Sequence, residues 1–400
     1  MSGFPQWPSV KGRLGAPNCT RYGKCSPPQW ASPVLRLLTE GHWGFPRVLM
    51  ERSAAAVSRR AVVTVLCVMT LLLGEAPTLH AGEAVVAVAI TPDQVVDRGL
   101  AALVKMQQAD GSFGEGAGIT ALAGMALLSG GHTPTRGRYH EASQRALRAV
   151  LAKRDRVSGY LGADMGNMYS HGFAALYLAE CYGMAPAEPV RAALESAIDL
   201  IHQAQNREGG WRYSPVPDDA DISVTICQVM ALRAANNVGI GGKATEDAIR
   251  KAIAYVRRCA NPDGSFNYMI SGGGWGTSGP EGVPRAAAGA MSLIGAGIHE
   301  TSDPQLGPAL RFLNKQVVAH LKGQGDYYWY GQYYASQALF HSPNVEEWDR
   351  YWKEAWPIIA RKQGRDGLWT EGEGPGPAYA TSMALIILQI PNQYLPIFQR

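Results

Sequence analysis

The chain has 400 residues, 46% of them hydrophobic, which is enough for one large core or two of ordinary size. Nine of its 37 Lys/Arg but only Glu40 and Glu51 of its 33 acidic residues fall in residues 1–60, so that stretch carries +7 while the rest, with 28 basic and 31 acidic residues, carries −3. The pI of about 8.7 therefore reflects the amino-terminal stretch, and the balance excludes the basic face that nucleic-acid binding would need.

Residues 1–49 are rich in Trp, Pro, Gly and Arg and lack a sustained apolar period, so no folded unit is expected there. Residues 50–81 have the layout of a secretory signal. Arg52, Arg59 and Arg60 precede the apolar run Ala61 to Leu73, and Leu79-His80-Ala81 supplies a small residue for cleavage. The run of thirteen residues is shorter than the roughly twenty that a transmembrane anchor requires. This layout predicts a start at Met50, an extension at 1–49, a linker at 82–92 and an exported mature chain, periplasmic or extracellular, with no transmembrane anchor. Of the six cysteines, Cys181, Cys227 and Cys259 then remain, all within apolar helical patterns. Buried free thiols are expected, or one disulfide whose pairing the sequence does not select.

From Ile90 onward a unit recurs. A helix-period segment ends in Gln, Arg or Lys, a Gly-aromatic turn follows, and a more apolar helix comes next. The clearest turns are Gln107 to Phe113, Gln205 to Trp211, Asn261 to Phe266 and Gln363 to Trp369, with weaker copies at Arg156 to Tyr160 and Gln324 to Tyr328. The charged helices before the turns are expected at about 93–106, 140–152, 190–204, 245–259, 304–320 and 346–362. The Ala/Gly/Leu/Met-rich helices after them are expected at about 119–129, 169–182, 222–236, 284–297, 331–341 and 379–389. Strand patterns are absent. These elements predict an all-α fold: a single (α/α)6 toroid of six helical hairpins over 93–390, amphipathic helices outside and apolar ones inside, with a tail at 391–400. Turn glycines supply conformations closed to other residues, turn aromatics pack between repeats, and the glutamines are expected to bind free amides of the following helix.

Repeats of the form Gln-x-x-Asp-Gly-Ser-Phe and Gln-x-x-x-Gly-Gly-Trp over residues 90–390 resemble the QW-type motifs of the prenyltransferase and squalene-oxidase repeat family, found in squalene and hopene cyclases and prenyltransferase β-subunits. Gly-Gly-Trp-Arg-Tyr, Asp-Ala-Asp and Ser-Val-Thr also resemble exported repeat proteins of planctomycete-type bacteria. The resemblance implies a terpenoid-cyclase-like toroid, a fold that hosts several chemistries. In class II cyclases the middle Asp of Asp-x-Asp-Asp-Thr protonates the substrate. The matching stretch is Asp219-Ala220-Asp221-Ile222-Ser223, which puts Asp221 in the place of the acid and Asp219 in that of its partner, with Ile222 replacing the third carboxylate. The prenyltransferase zinc set needs Asp-x-Cys, which does not occur, so no metal and no cofactor are expected.

Parallel inner helices would gather six N-termini at one mouth, a favourable field for an anionic or strongly polar ligand. Candidate catalytic residues there are Asp219 and Asp221, although Asp221 also stands where a helix N-cap would. Candidate ligand-binding residues are Tyr169, His171, Trp275, Arg285, Tyr330, Tyr333, Glu373 and Tyr379. Each has a structural alternative: a polar cap for His171, an ion pair with Asp219 or Asp221 for Arg285, and packing for the Tyr327 to Tyr334 run. The glycine-rich loop Ser271 to Arg285 lacks a P-loop lysine and reads as a flap over the mouth. The primary expectation is an exported toroid that binds a lipid, glycan or peptide at its mouth. The alternatives are a class II terpene-cyclase-like enzyme with Asp221 as general acid, or an (α/α)6 polysaccharide lyase or hydrolase, for which Glu281 or Glu373 would supply a second carboxylate.

Overall fold

The computed structural model describes residues 90–163, 167–271, 277–370 and 374–399, and the expected extension at 1–49 and signal at 50–81 lie outside the described residues. Twelve α-helices are described. They are α1 (Pro92–Lys105), α2 (Ala117–Ser129), α3 (His140–Ala152), α4 (Met168–Met184), α5 (Glu188–Ala204) and α6 (Ile222–Asn237), then α7 (Gly242–Cys259), α8 (Val283–Gly295), α9 (Leu306–Leu321), α10 (Tyr328–Phe340), α11 (Val345–Arg361) and α12 (Pro377–Gln389). No strand occurs among the described residues, only isolated bridges such as Trp211 with Asp221. No described helix is long and apolar enough to cross a membrane.

Even-numbered helices are buried on nearly every side and odd-numbered ones on one stripe, as their composition predicts. Around the inner ring α2 packs on α4, α4 on α6, α6 on α8, α8 on α10 and α10 on α12, and α12 returns to α2. This is the closed (α/α)6 toroid. Beyond α12, Ile390, Leu395, Ile397 and Phe398 are also buried, against the inner helices at the end opposite the mouth. Cys181, Cys227 and Cys259 are buried free thiols.

The turns hold neighbouring repeats together by contacts with the next outer helix. The turn glycines Gly111, Gly159, Gly209, Gly264 and Gly367 have φ between 77° and 101°, a region that L side chains rarely adopt. A Cβ at any of them would also strike a carbonyl oxygen of the next outer helix: Arg145 O, Ser196 O, Lys251 O, Pro308 O and Arg98 O respectively, at 2.1–2.9 Å. The last of these joins repeat six to repeat one. The turn glutamines have a role different from the expected one. Their Nε2 groups donate to carbonyls rather than bind free amides. Gln107 bonds Gly111 O and Ala142 O, Gln205 bonds Gly209 O and Ala248 O, and Gln363 bonds Gly367 O and Val95 O, at 2.8–3.1 Å. A carboxamide NH2 has two hydrogens, so one glutamine ties its own turn to the next helix.

Register is set by the glycine, and the buried turn residue follows it by two. It is Phe113, Trp211, Phe266 and Trp369 in four repeats. In repeat two that position is Leu161 rather than Tyr160, and Leu161 is buried while Tyr160 is partly exposed. In repeat five α10 begins three residues earlier than expected, at Tyr328, and the glycine-plus-two residue is Tyr327, 61% exposed with φ 53°. Gly325 there abuts the Glu281 backbone instead of an outer helix. Inside the ring, the buried residue's backbone N–H donates to a threonine in the first turn of the inner helix: Phe113 to Thr120, Trp211 to Thr225 and Trp369 to Thr381, at 3.0–3.1 Å.

The two constraints on these glycines are separable. Gly239→Ala meets only the left-handed φ, since nothing lies within 4 Å of its Cβ, and is expected to cost about 1 kcal/mol. Gly209→Ala adds a 2.3 Å approach to Lys251 O and is expected to cost about 3 kcal/mol or more. Chemical denaturation of both variants measures the difference, and equal losses would contradict the packing role.

Candidate functional site

All six inner helices start at the same end. Gly118 at the start of α2 abuts Ser170 at the start of α4, Tyr169 of α4 meets Tyr330 of α10, and Arg285 of α8 lies near Tyr327. Tyr379, in the first turn of α12, bears on Cys227 of α6. The first amides of two helices are satisfied by neighbouring repeats: Met168 N donates to Tyr213 O, and Ile222 N to Tyr268 O, both at 3.0 Å. Tyr213 and Tyr268 each stand two residues past a buried turn aromatic. The same carbonyls that finish the helices therefore fix these two tyrosines on the rim.

Asp221 is fully buried and caps α6. Its Oδ1 accepts from Ser223 N and Val224 N, both at 2.9 Å. Oδ2, in contrast, makes no hydrogen bond and stands 3.9 Å from Arg212 Nε. The two readings of this residue thus occupy different atoms, one oxygen for the cap and one for the mouth. Burial pushes the carboxyl up to about 6, against the opposing pull of the Val224 amide, the Tyr268 hydroxyl, the Ser223 amide and Arg212. Asp219 is partly exposed and pairs with Arg212 Nη1, while its Oδ1 accepts from Ala220 N at 2.7 Å.

Aromatic side chains wall the space above Asp221. Tyr213 and Tyr268 share a hydroxyl–hydroxyl contact of 2.5 Å. Tyr169 lies 6.0 Å from Tyr213 and 6.4 Å from Tyr330, between ring centroids. From α10 the tyrosines reach across the ring: Tyr330 Oη donates to Ser223 O at 3.0 Å, Tyr334 Oη meets Cys227 Sγ at 3.2 Å, and Tyr333 packs edge-on to Phe173 of α4 at 6.0 Å. Burial, then the nearby Asp221, holds the Tyr169 phenol well above its usual range, and burial does the same for Tyr330, Tyr333 and Tyr379. Burial also pushes the Cys227 thiol up to about 12. These groups therefore present hydrogen-bond donors rather than anions. A groove of about 270 Å³ opens beside them, lined by Arg212, Tyr213, Ser214, Val216, Asp218 and Asp219.

Of the residues singled out from sequence, Asp219, Asp221, Tyr169 and Tyr330 are brought together, with Tyr379 at the start of α12 and Tyr333 buried deeper. His171 is fully buried, its Nδ1 accepting from Leu161 N at 3.1 Å and its Nε2 facing Ala197 O at 3.0 Å. It takes the place that threonine holds in three other repeats, and burial lowers its pKa to about 4, so it stays neutral. Arg285 donates from Nε to Phe266 O at 3.2 Å and faces Tyr327, Glu281 and Tyr268. Asp219 and Asp221 pair with Arg212. Trp275 and Glu373 lie outside the described residues, as do most of the flap glycines. Among the described residues no group of three or more His, Cys, Asp or Glu is placed to hold a metal ion. The sequence reading missed Arg212, Tyr213 and Tyr268. The signal for the tyrosines was their shared place two residues beyond Trp211 and Phe266.

No family model matches the chain, and no curated protein matches it. Solved structures do. A type II terpene cyclase from Scytonema superposes with a TM-score of 0.52 at 16% identity, over 76% of this chain and 99% of that one. A cellobiose 2-epimerase from Spirochaeta thermophila gives 0.58 at 14%, over 76% and 98%. An α-1,6-mannanase of Salegentibacter, in complex with α-1,6-mannotriose, gives 0.56 at 10%, over 75% and 98%. At these identities the likeness is one of fold, the cyclase-like (α/α)6 toroid.

The raised Asp221 pKa has a consequence for stability. Its contribution is fully present below the unfolded value, near 3.8, and is lost as pH rises through about 6. Asparagine caps a helix as well as aspartate does. Asp221→Asn is therefore expected to stabilise the fold at pH 8 by about 2–3 kcal/mol, and by almost nothing at pH 4. Denaturant titrations of both proteins at the two pH values check this, and destabilisation at pH 8 would contradict it.

Proposed function

We propose that the chain is a ligand-binding toroid whose mouth takes a small organic ligand, a lipid, glycan or peptide fragment, against the tyrosines above Asp221. One observation carries this reading: a buried carboxylate oxygen that makes no hydrogen bond, at the base of an aromatic-walled mouth. Its ion-pair partner, Arg212 Nε, stands 3.9 Å away, so the oxygen lacks a close donor, a costly state that a ligand donor would relieve. Tyr330 and Tyr334 reach α6 from across the ring, so the ligand would rest above them rather than thread the axis. The signal-like stretch at 50–81 supports a site of action outside the cytoplasm.

A second reading is favoured by the carboxyl's position near 6. An acid half-protonated close to neutrality can donate a proton, and Asp221 would then serve as the general acid of a terpene-cyclase-like reaction, the neighbouring tyrosines facing the developing positive charge. The fold shared with a type II terpene cyclase is compatible with it. The hydrolase alternative needs two opposed free carboxylates, and Asp219 is already engaged by Arg212.

The test is a mass-spectrometric survey of small molecules that co-purify with the chain, with Asp221→Asn run in parallel. The expected result is a ligand retained by the native chain and reduced about tenfold or more in the variant, as loss of a buried charged hydrogen bond implies. Conversion of that ligand by the native chain alone would move the conclusion to acid catalysis. A native chain that retains nothing would contradict the binding reading.

A further inference from the structure

The segments that lead from each turn into the next inner helix form the inner rim. Among the described residues they carry Glu115, Asp218, Asp219, Asp221, Glu281 and Asp326, against Arg212 and, one turn into α8, Arg285. That excess opposes the attraction that six helix N-termini would exert on an anion. At α6 the amides are already spent on Asp221 Oδ1, which leaves Oδ2 facing the mouth. Arg212 shows what this rim accepts. Its guanidinium carbon lies 5.3 Å from the centre of the Tyr213 ring and 5.8 Å from that of Tyr268, beside both Asp219 and Asp221. Two aromatic faces and two carboxylates around one positive group is the arrangement by which proteins hold quaternary and protonated amines. The cation filling it is a surface arginine, 31% exposed, on a long flexible stem.

We propose that the rim is a binding site for a small alkylammonium cation, whose charge takes the place of the Arg212 guanidinium between Tyr213, Tyr268 and Asp221. Resting on the reading of the mouth as a ligand site, the proposal narrows the ligand class. Tyr169 supplies a further wall, 6.0 Å from Tyr213. The displaced guanidinium swings into the adjoining groove, where Asp218 and Asp219 lie. An anionic ligand would meet the rim's carboxylates, and an uncharged one that displaced Arg212 would leave Asp221 without a counter-charge.

The test is isothermal titration of the full chain at pH 8 with choline, and with 3,3-dimethylbutan-1-ol, its uncharged carbon isostere. Choline is expected to bind at least about tenfold more tightly than the isostere, and Asp221→Asn to lose about tenfold, the size expected of a desolvated cation–aromatic–carboxylate contact. Arg212→Ala is the decisive variant. Emptying the cage is expected to strengthen choline binding several-fold, whereas an arginine that merely supports the rim would weaken it on removal. Circular dichroism and melting of each variant establish that it is folded. Equal binding of choline and its isostere would overturn the cation claim and leave the mouth a ligand site. Absence of choline binding in both the native chain and Arg212→Ala would overturn the cation claim outright, while the survey of co-purifying molecules decides separately on the broader reading.

Discussion

The contact on which the rest of this toroid depends is a turn glycine lodged against a carbonyl of the next outer helix. It recurs at Gly111, Gly159, Gly209, Gly264 and Gly367, and the last of these rests on Arg98 O, which brings the end of the ring to its beginning. In three repeats a glutamine amide doubles the attachment. At the closing one, Arg98 also donates from Nε to Gln363 Oε1 at 2.8 Å. Neighbouring repeats are thereby fixed in angle as well as proximity, because a side chain at the glycine would hold the helices apart.

That constraint also builds the mouth. With five turns clamped outward, the chain returns inward and starts its inner helix at the same end as its neighbours. Tyr213 and Tyr268 sit on two of these returning segments, and their carbonyls complete α4 and α6. Asp221 follows as the cap of α6, buried because Ala220 and Trp211 are packed around it. Its position near 6 is thus a by-product of repeat packing: two amides hold one oxygen, and the burial that makes the cap secure raises the cost of charge on the other. The N-cap place that Asp221 holds is taken by Asn167 on α4, whose side chain accepts from Tyr169 N, and by Gly116 and Gly376 on α2 and α12.

Much of the fold was legible because the glycine-to-aromatic spacing and the apolar composition of alternate helices are local properties. The six hairpins, their order and the inner–outer division follow from those two signals, and the chain shares its fold with toroidal enzymes of three different activities. What misled was weighting aromatic identity over distance from the glycine: Leu161, not Tyr160, is the buried residue of repeat two. At the candidate site, Asp219, Asp221, Tyr169 and Tyr330 could be grouped from sequence because they lie at or just before inner-helix starts. Arg212 escaped because its partners are set by the turn's path, which sequence does not draw. The cap and the proposed mouth role of Asp221 could not be separated from sequence, since they involve two oxygens of one carboxylate.

Everything proposed for the mouth rests on the Asp221 carboxylate being a buried, titrating group. The most direct measurement is its own protonation, followed as the carboxyl band in the infrared difference between the native chain and Asp221→Asn across pH 4 to 8. The expected midpoint is at about 6. A midpoint at or below the ordinary aspartate range would show a carboxylate that is solvated or already paired, and would contradict it.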